Sequence, residues 1–96
     1  MTRNTRNNKY YKKMTSYRAT GLAEGFEQPK AKTKDKKELE ILSAWQYLVD
    51  KGTAWNLQGW FGRQANALLE QGLIKPPKKT RTDYYGNKVN PKRWKK

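Results

Sequence analysis

Three tyrosines near the start of this 96-residue chain, Tyr10, Tyr11 and Tyr17, stand among six cations, Arg3, Arg6, Lys9, Lys12, Lys13 and Arg18. Flat rings alternating with phosphate-neutralising side chains suit single-stranded nucleic acid or folded RNA, where each stacked base contributes roughly 1 to 3 kcal/mol. The same chemistry recurs at the far end. Lys78, Lys79 and Arg81 follow a proline pair, Tyr84 and Tyr85 come next, and Arg93 and Trp94 lie in a terminal run with Lys92, Lys95 and Lys96. Between them, Arg63 stands beside Gln58, Gly59 and Gly62. Glycines on a helix would leave a flat patch for a phosphate, a base or a partner backbone, with the planar guanidinium as the contact. Each reading has a plainer competitor: tyrosines in a basic tail can simply be solvated, and glycines can let a facing helix approach closely.

Catalysis fits poorly. The chain has no histidine and no cysteine, which removes the usual general bases, thiol nucleophiles, zinc ligands and disulfides, and no glycine-rich loop ends in Lys-Ser or Lys-Thr. Glu38, Glu40, Asp50 and Glu70 are scattered rather than gathered at one point, so they read as solvated faces and caps, not as a metal-dependent nuclease centre. These features predict a non-enzymatic protein with no metal, cofactor or small-molecule substrate. No run approaches the ~18 apolar residues of a membrane span, and no apolar leader opens the chain, which predicts a soluble intracellular protein without a membrane partner.

The net charge of +14 is unevenly placed. Residues 1–37 hold 11 Lys/Arg against 3 acids, residues 38–72 hold 2 against 4, and residues 73–96 hold 9 against 1. A slightly acidic body between basic arms is the layout of a protein that docks through the body while its arms neutralise a polyanion. With 34% apolar residues and a mean hydropathy of -1.22, there is room for one small domain at most.

The elements that must position these groups centre on residues 35–74. Asp35 and Glu38 have capping-box spacing and predict a helix from about Lys36. Its apolar positions Ile41, Leu42, Trp45, Leu48 and Val49 form one stripe at helical period. Gly52 would end it in a left-handed conformation and Thr53 would cap a second helix, with Leu57, Trp60, Phe61, Ala65, Leu68 and Leu69 facing inward. Gly72 would close that helix in a Schellman ending, with Leu73 against Leu68, before Pro76 and Pro77. Gly59 and Gly62 would each cost about 1 kcal/mol inside it. So short a connection predicts antiparallel neighbours. The fold expected is mainly α: a short antiparallel helical hairpin at 35–74, flanked by long, basic, largely irregular arms at 1–34 and 75–96. In the first arm Leu22 and Phe26 are expected to fold back on the hairpin as a small further piece of core; in the second, Gly86-Asn87 predicts a tight turn.

The segment LVDKGTAWNLQGWFGRQANALLEQGLI resembles one found in small tailed-bacteriophage proteins of unknown function, of form L-V-D-x-G-x-x-W-x-L-Q-G-x-x-G-R-x-A-x-x-L-I-x-x-G-L-I. Leu69 stands where the pattern more often has Ile, and Lys51 where Thr is common. The resemblance covers little more than a quarter of the chain. It implies a phage or phage-derived origin, hence the cytoplasm of an infected bacterium or a virion, and a compact helical module; it carries no activity. YYGN matches the opening box of pediocin-like bacteriocins, but those peptides depend on a disulfide. A helix-turn-helix alignment on Gly52 puts Gln58 where a core aliphatic belongs.

The apolar side chains of the hairpin fall short of the ordering cost of its backbone, which predicts that it borrows surface from its own arms or from a partner. Trp45, Trp55 and Trp60, with Tyr47, are more aromatic area than two helices hide, making the three tryptophans candidates for a protein interface or self-association. The leading expectation is a nucleic-acid-associated accessory protein, binding RNA or DNA through its arms. The alternative is a phage structural or adaptor protein, a virion component or host-protein modulator, that binds acidic protein surfaces.

Overall fold

A computed structural model describes residues 4–57, 59–82 and 86–94, the side chain of Arg93 excepted. Arg3, Gln58, Tyr84 and Tyr85 lie outside the described residues. The order is α1 (Lys9–Lys12), α2 (Ser16–Glu24), α3 (Lys34–Asp50), a 3-10 turn (Thr53–Trp55), α4 (Gly59–Glu70), β1 (Arg81–Thr82), β2 (Lys88–Val89) and a second 3-10 turn (Pro91–Trp94). The fold is mainly helical, with β1 and β2 paired antiparallel, Arg81 opposite Val89. Among the described residues, no helix is long and apolar enough to cross a membrane.

The long helix α3 is the central element, and it starts earlier than Asp35 predicts. Thr33 is its cap, its hydroxyl accepting from the Lys36 amide at 3.3 Å; Asp35 falls inside the first turn, where a carboxylate suits the positive end of the helix dipole. From Leu42 to Val49 every residue but Tyr47 is buried. One face carries the expected apolar stripe. The other carries Ser43, Gln46 and, at its end, Asp50, and it is covered too.

The N-terminal residues supply much of that cover, so the irregular arm expected there is instead two capped helices. Asn8 caps α1 through the Tyr11 amide, and Thr15 caps α2 through the Arg18 amide. Ala19 and Leu22 of α2 are buried, and α2 is the principal helical neighbour of α3. Folding there buries apolar side chains that the segment alone could not hide. Leu22 joins the core as expected; Phe26 does not, and is 84% exposed.

Gly52 and Gly72 end α3 and α4 as their positions predict, at φ 77° and 75°. At the second, Leu73 N donates to Leu68 O at 3.0 Å and Gly72 N to Leu69 O at 3.1 Å, the paired bonds of a Schellman ending. The connection between the helices differs from expectation. Thr53 opens a 3-10 turn rather than α4, which begins only at Gly59. Gly59 is therefore at a helix start, where glycine costs little. Gly62 is interior, and a side chain there would meet Trp55 at 3.4 Å, so its absence seats the 3-10 turn against α4. Trp45 joins α3 to α4, with ring centroids 5.8 Å from Phe61 and 6.1 Å from Trp60.

Candidate nucleic-acid interface

Two carboxylates on α3, read from sequence as solvated, are instead hubs for the surrounding segments. Asp50 lies on the last turn, where a negative charge opposes the helix dipole. Cations offset that. Arg6 meets it with two bonds, Nε to Oδ2 at 2.8 Å and Nη2 to Oδ1 at 2.6 Å, while Arg81 donates to its main-chain carbonyl. Tyr11 donates its hydroxyl to Oδ2 at 2.7 Å. Burial, and then this bond to a carboxylate, push the Tyr11 phenol up from 10.0 to about 12; the Arg6 guanidinium is raised by its bond to Asp50.

Gln46 completes this hub with every amide position used. Its Oε1 accepts from Thr5 Oγ1 at 2.6 Å and Lys75 N at 2.7 Å, and its Nε2 donates to Asp50 Oδ1 at 3.1 Å and Lys75 O at 2.8 Å. With Arg6 also donating to Pro76 O at 2.6 Å, the start of the chain, α3 and the segment after α4 are tied together through polar groups. The polar groups of this hub are engaged with one another.

The second hub is different. Glu40 is 3% exposed; its Oε2 accepts from Arg18 Nη2 at 2.6 Å, and its Oε1 from the amides of Lys30 and Ala31 at 3.0 and 3.1 Å. Arg18 also reaches Glu27 at 3.1 Å. Beside this cluster opens a cleft of about 310 Å³, with Lys9, Tyr10, Lys13 and Met14 on one side and Arg18, Lys30 and Glu40 on the other. Met14 gives it a buried apolar wall, and Lys9 Nζ lies 5.3 Å from the centre of the Tyr10 ring. Such an arrangement can take an aromatic or apolar group inside and an anion at its rim.

The residues nominated for nucleic acid thus divide. Lys9, Lys12 and Lys13 are exposed and Tyr10 is half-buried, all within or beside α1, and Tyr17 is exposed on the first turn of α2. Among the described residues, none of Lys9, Lys12, Lys13, Lys30, Lys78 or Lys79 is paired with a carboxylate. Arg6, Tyr11 and Arg18 are engaged inside the fold, and Arg81 holds the end of α3. Arg63 is exposed on α4, with its guanidinium folded over Gly59. Trp94 stacks on Trp55 with centroids 5.9 Å apart.

The tryptophans also divide. Trp45 and Trp55 are 4% and 7% exposed and belong to the core, Trp55 donating to Asn66 at 3.1 Å; Trp60 is 38% exposed. Sequence reasoning missed Lys30 and Glu40 in the cleft, Thr5 and Gln46 in the closed hub, and Ser43, whose hydroxyl accepts from Asn8 Nδ2 at 3.0 Å. A signal was present: Ser43, Gln46 and Asp50 recur at i, i+3 and i+7, a polar stripe on the long helix. Its burial was not legible.

The family model described as a domain of unknown function, DUF7417, matches residues 30–88, from the loop that carries Lys30 through α3 and α4 to β2. No curated protein and no solved structure matches the chain. Covering more than half of the sequence, and including both Glu40 and Asp50, the match makes the chain a member of the DUF7417 family.

Proposed function

We propose that this protein is a non-enzymatic, nucleic-acid-associated accessory factor, acting in a phage-infected bacterium or a virion. The observation that carries the reading is a separation among its cations: Arg6 and Arg18 are spent on carboxylates within the fold, while Lys9, Lys12, Lys13, Lys30, Lys78 and Lys79 stand at the surface with no carboxylate partner among the described residues. Unpaired lysines beside a tyrosine are the phosphate-neutralising and stacking groups that single strands use. The α3–α4 pair serves as the docking module that carries them.

A second reading, a structural or adaptor protein binding an acidic protein surface, draws on the exposed Phe26 and Trp60, because exposed aromatics anchor interfaces. Binding to single-stranded RNA, single-stranded DNA and duplex DNA across a salt series separates the two. The nucleic-acid reading expects a preference for one polymer, a steep log-log slope and affinity that survives near-physiological salt. Weak, equal binding that vanishes there would favour the adaptor.

A further inference from the structure

We infer that the cleft between α1 and the Glu40 cluster is a subsite for one unpaired nucleotide, its base against Tyr10 and Met14 and its phosphate at the lysine rim. This rests on the nucleic-acid reading above and deepens it, since a basic surface alone would bind any polyanion.

The geometry points this way on three counts. Size comes first: about 310 Å³ is at the lower end of the roughly 300–1,000 Å³ of small-ligand pockets, room for one heterocycle and its phosphate but not for a duplex. Charge sets the orientation. The one arginine in the lining, Arg18, is already paired with Glu40 at 2.6 Å, while Lys9, Lys13 and Lys30 are exposed and have no carboxylate partner among the described residues. The phosphate therefore stays outside and the uncharged base enters. Aromatic contact is the third. Lys9 covers a face of Tyr10 at 5.3 Å, a cation–π contact that is weak at exposed sites and that a stacked base replaces with a stronger one. Displaced, Lys9 becomes free for the phosphate.

The lining itself is held in place. Glu40 takes Arg18 and two main-chain amides, so the wall opposite α1 is fixed before any ligand arrives, which lowers the cost of binding.

The test is an NMR titration of the full chain with adenosine 5′-monophosphate, with inorganic phosphate and with a short single-stranded oligoadenylate, following the Tyr10 ring and the Met14 methyl. The expected result is that both move with the nucleotide and the oligomer but not with phosphate, and that Tyr10→Ala weakens oligomer affinity about tenfold. Equal shifts with phosphate would reduce the cleft to an anion site and overturn the assignment. If the oligomer binds while both probes stay still, the subsite is wrong but the nucleic-acid reading stands. If the oligomer does not bind, both fail. The titration needs no variant, so misfolding of Tyr10→Ala would not blur the answer.

Discussion

Asp50 and Glu40 sit ten residues apart on one helix, each takes up an arginine from the N-terminal segment, and they build opposite things. Around Asp50, Arg6, Tyr11, Gln46 and the 75–76 backbone close over the carboxylate. Around Glu40, Arg18 and the 30–31 amides close one side only, and a cleft rimmed by lysines remains. Arg suits the closed work because its fork satisfies both carboxylate oxygens and tolerates burial. Lys, a compact and strongly hydrated charge, remains at the surface for exchangeable anions. The difference teaches that counting cations overstates a polyanion-binding surface: part of the charge holds the fold together.

The largest expected effect comes from breaking the closed hub. Asp50→Ala leaves Arg6, with a side chain 20% exposed, facing only the Pro76 carbonyl, and should cost about 3 kcal/mol, the lower end for breaking a buried pair. Urea unfolding measures it. A loss below about 1 kcal/mol would mean that the pair behaves as an ordinary surface bridge. Glu40→Ala should cost less, about 2 kcal/mol, because Arg18 keeps Glu27 at 3.1 Å. Hydrogen exchange should then show the Lys30 and Ala31 amides losing protection; if the Glu40 variant proves the less stable of the two, the ranking of the hubs is reversed.

The third effect is smaller and depends on pH. The Tyr11 phenol titrates near 12 in the fold against 10.0 ordinarily, so the neutral form is favoured in the native state. Its contribution is complete below pH 10 and is lost as pH rises to 12. Tyr11→Phe should cost about 1 kcal/mol at neutral pH and flatten the alkaline fall in stability. In an ultraviolet titration of the folded protein, the ionisation step near pH 12 should vanish in this variant. A wild-type profile without a late step would remove Tyr11 from the hub.

Much of the helical frame was legible before the structure. Gly52, Gly72 and Gly86 mark chain reversals that need positive φ, and the Leu42–Trp45–Val49 stripe marks the apolar face of α3. The other face was not, because Ser43, Gln46 and Asp50 look like solvent-facing residues until the segments that cover them are known. Their partners Thr5, Arg6 and Lys75 lie 29 to 44 residues away in sequence, beyond any local pattern. For the same reason the N-terminal residues read as an irregular arm: their order comes from contacts with α3. Of the cleft, Lys9, Tyr10 and Lys13 were visible as chemistry, whereas Lys30 and Glu40 join them only through the fold.

The division between structural arginines and available lysines is tested most directly by the salt dependence of binding to a single-stranded oligonucleotide, compared between the wild type and the triple variant Lys9→Ala, Lys12→Ala, Lys13→Ala. None of the three lysines is buried, so the variant should unfold within about 0.5 kcal/mol of the wild type. Its log-log salt slope should fall by about 2, from three lost phosphate contacts at about 0.7 each on a single strand. An unchanged slope in a folded variant would contradict the account, because the α1 lysines would then neutralise no phosphate.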